Sequence, residues 1–209
     1  MLSPEIAQAL RDMEWGTHAM LVYDTPQNKR DVLFGHLKVG LHQNDLVYVG
    51  SEETPTKIRA EMSTFGFDVE ELEGKGELAV KNFDEVYIVD GKVDASGIIS
   101  GYSRLSKQSW ARGKEGVRAS TEMSCFMRAN KVDDLLTYEK ALEPKLNFPG
   151  IGLCGYSLLE MAKSNSIDVL WPMIRAHSLV IMTGPNGSFA LEPDSVNKKL
   201  VKKTMGIQA

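Results

Sequence analysis

Two adjacent carboxylates, Glu52 and Glu53, follow the apolar run LVYVG at 46–50. An acid pair there can act as a general base toward a substrate, or can cap the helix that Thr54-Pro55 opens. Arg118 and Glu122 stand four residues apart in GVRASTEMS (116–124), where polar residues alternate with small or apolar ones. On a strand both point to one face, either as a structural ion pair or as ligand-binding groups. His18 interrupts an apolar run; it reads as a core histidine bonded to backbone or as a proton-responsive pocket wall. Tyr138-Glu139 falls on a helix, with Tyr138 packing on a sheet and Glu139 reaching toward Arg118. His177 ends a helix, where a positive charge suits the dipole.

Other residues offer less. His36 lies on an apolar helical stripe and His42 follows six residues later, the wrong spacing for one helix face, so no metal site is assigned. Cys125 and Cys154 each sit in an apolar run without CxxC spacing and read as buried reduced thiols, not as a zinc or redox site. Ser120 and Ser124 have no activating context, and no GxSxG elbow exists. Trp15, Trp110 and Trp171 read as core or interface fillers. No catalytic residue, cofactor or metal is expected.

The elements that must position these groups follow from periodicity. HAMLVYD (18–24), NKRDVLFGHLKVGLHQ (28–43) and LVYVG (46–50) read as strand, helix and strand, a unit that makes two parallel strands joined by a right-handed crossover. The first turn, Thr25 to Arg30, contains no glycine. Ser3-Pro4-Glu5 starts a short helix over 6–13. A helix spans 55–66 with Gly66 as its C-cap, and the acidic stretch 70–77 forms a loop. Residues 77–89 give one or two strands with a bend near Asn82-Phe83-Asp84. Helices follow at 94–113 and 132–147, a buried strand at 150–158, and a helix at 167–178 with a kink or late start at Pro172. LVIMTG (179–184) is the last central strand; a turn at 185–187 returns SFALEP (188–193) as an antiparallel edge. The alternation specifies a doubly wound, three-layer α/β/α fold with a mostly parallel central sheet. The division is an N-terminal helix (1–15), a single domain (16–194) and a basic tail (195–209) whose Lys198, Lys199, Lys202 and Lys203 read first as a solvated helix end and second as a polybasic contact for nucleic acid or anionic lipid.

With 209 residues the chain supports one well-buried core, and 43% hydrophobic with 25% charged residues is ordinary for a globular protein. A formal net charge of −4 argues against an intrinsic nucleic-acid footprint. No leader pattern and no apolar run near the ~20 residues of a membrane span is present, so a cytoplasmic location without membrane contact is expected.

The segment Tyr48 to Pro55, with Ile58-Arg59 and Phe65-Gly66-Phe67-Asp68, resembles the RecA-like ATPases of the KaiC/RadA type. In that family the carboxylate pair activates the attacking water. A wider resemblance, over nearly the whole chain, is to the MEDS sensory domain. It rests on Gly16-x-His18 with Tyr23, Phe34 through Gly40-Leu41, Arg118 with Glu122-Met123, Tyr138-Glu139 with Leu142, Cys154-x-Tyr156, and His177. The resemblance implies a RecA/KaiC-like fold that has lost its phosphate loop and senses small ligands, with hydrocarbon derivatives proposed. Thr25 to Arg30 fits that loss: a phosphate cradle needs glycines so that consecutive N–H groups can face the phosphates, and here a proline removes one. The family's regulator carries a DNA-binding helix-turn-helix; residues 1–15 are too few for one.

The expectation is therefore a free-standing, non-catalytic sensory domain. It binds a small molecule at the C-terminal ends of the strands, between His18, Tyr23, Glu52, Arg118 and Glu122, with Glu53, Tyr138, Glu139 and His177 as further candidates. A protein partner such as a regulator or kinase, and self-association, fit that role; direct nucleic-acid contact does not. The alternative is a residual nucleotide hydrolase or transferase using Glu52 and Glu53.

Overall fold

Seven strands make one sheet in the order β3-β2-β4-β5-β1-β6-β7. They are β1 (His18–Tyr23), β2 (Leu46–Ser51), β3 (Leu78–Asn82), β4 (Val117–Glu122), β5 (Gly150–Ser157), β6 (Leu179–Gly184) and β7 (Gly187–Leu191). All neighbours pair in parallel except β6 and β7, which form the expected antiparallel edge. The computed structural model describes residues 2–206, with the backbone alone for Lys198, Lys199, Val201 and Lys202.

β1, β2 and β4 are buried along their whole length, as central parallel strands covered on both faces must be. Alternation along β1 divides the core. Ala19, Leu21 and Tyr23 join the helix Pro4–Arg11 and part of the helix Pro26–His42. Met20 and Val22 join the opposite layer, which holds the helices Ala95–Ala111, Val132–Leu142 and Leu170–Arg175. The far end of the first face packs Phe34 and Leu37 against Ile58 and Met62 of the helix Pro55–Thr64.

The helix starts are built from local chemistry. Ser3, Thr25 and Thr54 each accept a hydrogen bond from an N–H of the first turn, and each is followed directly by proline. Pro172 sits in the first turn of Leu170–Arg175, after a 3-10 turn at Ile167–Val169, so the late start is the form realised.

Two local expectations are corrected, and one unforeseen helix is added. The acidic stretch after Asp68 is a helix, Val69–Gly74, because the Asp68 carboxylate caps Glu71 N at 3.1 Å and Glu70 and Glu71 favour the N-terminal dipole. The bend after β3 is a one-turn helix, Phe83–Val86, fixed by a capping box between Asn82 and Glu85. A short helix, Leu158–Lys163, follows β5 directly, with Ser157 as its cap. In the tail, a helix spans Lys198–Met205 and buries Thr204 and Met205, with Val196 just ahead of it also buried. Lys203 is exposed; the side chains of Lys198, Lys199 and Lys202 lie outside the described residues.

The helix Pro26–His42 lies along β4 and meets each of its polar residues. Ser120 Oγ donates to Leu33 O at 2.9 Å and so accepts from His36 Nδ1 at 3.1 Å. His36 Nε2 then has no partner among the described residues. Burial, reinforced by Arg118, holds this imidazole well below its ordinary range, so it is neutral in the fold. The unfolded chain takes up a proton there below about pH 6.5. A folded-state value below the unfolded one gives stability that is full above pH ~6.5 and falls as the pH falls, by about 1.4 kcal/mol per unit. Urea melts of His36→Gln between about pH 4.5 and 6.5 should lose stability less steeply than the wild type; equal slopes would contradict this.

Candidate functional site

The nine sequence-derived candidates do not share one pocket. Tyr23, Glu52, Glu53 and Glu122 stand at the C-terminal ends of β1, β2 and β4, where open α/β sheets take ligands. His18, Tyr138, Glu139 and His177 gather elsewhere, on the cavity side of the sheet. Arg118, near the start of β4, joins neither group.

The crevice at the strand ends is closed by its own charges. The Lys29 ammonium pairs with Glu122, whose other oxygen accepts from Ser51 Oγ at 3.0 Å and Glu52 N at 2.6 Å. Glu52 caps Cys125 N at 2.6 Å and pairs with Arg128 at 2.5 Å. Burial, then the nearby Glu122 charge, pushes the Glu52 carboxyl up. Glu53 points to the surface and pairs with Lys57 at 2.6 Å, one turn along its helix.

Arg118 and Glu122 share a face but do not pair. Four residues of strand separate them by about 13 Å. Arg118 Nε instead donates to Asp45 Oδ2 at 2.9 Å, with both side chains fully buried, and Nη2 donates to Gln43 Oε1 at 2.6 Å. Glu139 consequently does not answer Arg118 either.

Glu139 belongs to a buried quartet with His18, Cys154 and His177. One nitrogen, oxygen or sulfur from each lies within 4.8 Å of all the others. His18 Nε2 is 3.3 Å from Glu139 Oε2 and 3.7 Å from Cys154 Sγ; His177 Nε2 is 3.4 Å from the same carboxylate oxygen. The two imidazole centroids are 4.0 Å apart. Tyr156 O–H donates to the second oxygen of Glu139. Four separate segments supply the groups: β1, β5, the helix Val132–Leu142, and the turn after Leu170–Arg175.

Electrostatics assign one positive charge to the pair of rings. Burial opposes it, but hydrogen bonds to Cys154 and Glu139 hold His18 up to about 10. Burial, then the His18 charge, presses His177 down to about 3. His177 is thus neutral, contrary to the helix-dipole expectation. Burial pushes the Glu139 carboxyl up, but the two histidines and Tyr156 outweigh it and keep the group low.

Beside the quartet lies an apolar cavity of about 30 Å³. His18, Cys154, Tyr87, Tyr102, Tyr138 and Ala119 are among its walls. Tyr87 and Tyr102 share a hydroxyl–hydroxyl hydrogen bond of 2.7 Å. The same two tyrosines line an open outer groove of about 550 Å³ between the helix Ala95–Ala111 and residues 81–92.

The family model of the MEthanogen/methylotroph, DcmR Sensory (MEDS) domain matches residues 17–172. The chain belongs to the MEDS family. No curated protein matches it. Among solved structures, the KaiC-like protein PH0186 from the hyperthermophilic archaeon Pyrococcus horikoshii superposes with a TM-score of 0.58 and 17% identity, over 86% of this chain and 79% of that one. Protein PH0250 of the same organism gives 0.60 and 9%, over 98% and 100%. PH0321, an uncharacterized protein solved in complex with an unknown peptide, gives 0.58 and 20%, over 91% and 89%. These likenesses establish the fold: a KaiC-like, RecA-like sheet with an antiparallel edge. Among the described residues no helix of the MEDS domain is long and apolar enough to cross a membrane.

Cys154, Tyr87 and Tyr102 escaped the sequence reading of the MEDS domain's site. Cys154 lacks a neighbouring cysteine or histidine, and its partners come from positions 18, 139 and 177, so no local spacing could flag it. The tyrosines carry no signal that separates a cavity wall from core. Trp15 and Trp110, read as core or interface fillers, lie outside the core at 41% and 52% exposure.

Proposed function

We propose that this MEDS domain is a non-catalytic sensor that takes a small, mostly apolar molecule into the tyrosine-walled cavity and so alters its contact with a protein partner. The cavity is the observation that carries this reading. It is apolar, His18 and Cys154 are among its lining, and it shares the hydrogen-bonded Tyr87–Tyr102 pair with a groove of ligand-binding size. Hydrocarbon derivatives, the ligand class proposed for the family, match that lining. Nucleotide turnover by Glu52 and Glu53 has less support, since Lys29, Arg128 and Lys57 already neutralise the crevice acids.

The test is thermal unfolding with a series of halomethanes and short alcohols. A ligand at 100 times its dissociation constant should stabilise the domain by about 2.7 kcal/mol. Ala119→Leu, which fills the cavity, should remove that shift while the variant still melts cooperatively. A series with no shift, or one that survives in Ala119→Leu, would overturn the reading.

A further inference from the structure

We infer that His18, Glu139, Cys154 and His177 bind one divalent transition-metal ion of the zinc class, through His18 Nε2, His177 Nε2, one Glu139 oxygen and the Cys154 thiolate. The separations fit. Bonds of about 2.0–2.3 Å in a tetrahedron put ligand atoms about 3.3–3.6 Å apart. The two nitrogen–oxygen separations are 3.3 and 3.4 Å, and the nitrogen–sulfur separation is 3.7 Å.

The lone pairs also point the right way. His18 Nδ1 faces two backbone carbonyls, Glu143 O at 2.9 Å and Ala176 O at 3.1 Å. His177 Nδ1 faces Met173 O at 2.6 Å. Carbonyls only accept, so both Nδ1 atoms carry hydrogen; His177 Nε2 turns unprotonated toward the carboxylate, and His18 Nε2 does so once its own proton leaves. His177 Nε2 and Glu139 Oε2, 3.4 Å apart, are fully buried and lack a hydrogen-bond partner among the described residues. Two buried acceptors facing each other are unfavourable unless a cation sits beside them, a place the His18 proton fills in the empty site and a metal ion would take over. Carbonyls behind each imidazole, Tyr156 behind Glu139 and Thr121 Oγ1 at 3.6 Å from Cys154 Sγ supply the outer contacts that orient metal ligands.

The ligand set has oxygen, nitrogen and sulfur donors, which suits zinc and excludes a magnesium or calcium preference. Binding displaces the Cys154 proton and any proton held on His18, so two protons leave per ion at most. The ion would join β1, β5, the helix Val132–Leu142 and the turn after Leu170–Arg175, and His18 and Cys154 would carry its effect to the cavity wall. That last link rests on the sensory reading; the metal site itself does not.

The chain should be stripped with a chelator and titrated with Zn²⁺ and Co²⁺ against a chromogenic competitor. One equivalent per chain is expected. The Co²⁺ form should show a thiolate-to-metal charge-transfer band and the intense visible bands of a tetrahedral site. Cys154→Ser should abolish the charge-transfer band, and His177→Gln should weaken binding by at least about 100-fold, in the range lost with a metal ligand's support. His42→Ala and Cys125→Ser should bind like the wild type. Absence of stoichiometric binding by the wild-type chain would overturn the inference, even if a variant failed to fold. So would a charge-transfer band retained in Cys154→Ser but lost in Cys125→Ser. Halomethane-induced stabilisation of the stripped protein is scored separately: its persistence without metal binding sinks the metal site and leaves the sensor standing, and the reverse result does the opposite.

Discussion

Replacing Arg118 by methionine should destabilise the domain by about 3–5 kcal/mol, the cost of stranding one member of a buried ion pair. Arg118 and Asp45 are both fully buried, and Asp45 Oδ1 already has no partner among the described residues. Burial pushes the Asp45 carboxyl up even with the guanidinium beside it. Without that guanidinium, Asp45 must lose its charge or leave the interior, and Gln43 Oε1 and Leu10 O lose their donors. The methionine stem keeps the packing under Gly40, where an added Cβ would lie 2.7 Å from Arg118 Cδ. Arg118→Met/Asp45→Leu should recover most of the loss, because paired apolar replacements remove the desolvation cost of both charges. Urea denaturation of the two single variants and the double variant measures the coupling. A loss below about 1 kcal/mol for Arg118→Met, the scale of an exposed pair, would contradict a buried one.

Lys29→Met should cost about 3 kcal/mol near neutral pH, the lower end of the same range because the lysine side chain retains 10% exposure. It removes the cation paired with Glu122, whose charge already acts on Glu52. Glu52 is already pushed up by burial and by Glu122. In the variant, Glu122 keeps its burial without its cation, so its charge is penalised in the fold relative to the unfolded chain. Such a penalty is present while the carboxylate is charged and vanishes as acidification neutralises it. The stability gap between Lys29→Met and wild type should therefore narrow on acidification, and Lys29→Met/Glu122→Gln should close most of it at neutral pH. Denaturation at several pH values decides this, and a gap independent of pH would refute it.

The fold was legible because its signals are local. Apolar runs, caps and prolines place all seven strands and the long helices, since each depends on neighbours within a few residues. The acidic segment after Asp68 was misread because its two glycines look like turn residues, while the decisive cap is a single hydrogen bond from Glu71 N. The site was half legible. His18, Glu139 and His177 stood out as polar residues in apolar surroundings, but their mutual contact depends on a sheet order that brings β1 between β5 and β6. The ion-pair reading of Arg118 with Glu122 fails because same-face alternation gives direction and ignores distance; the true partner, Asp45, lies in the turn before β2, where nothing local marks it as buried. The glycine-free turn from Thr25 to Arg30 was readable directly. That Lys29 turns from it onto Glu122 was not.

Strand β4 gives neighbouring residues to opposite sides of the sheet. Ala119 and Thr121 line the cavity, while Ser120 and Glu122 hold Leu33 and Lys29 of the helix Pro26–His42. A molecule that presses on the first pair leans on the same backbone that carries the second. The crevice at the strand ends and the tyrosine chamber are thus two sides of a single wall, and under the sensor reading a visitor in one room would be felt in the other.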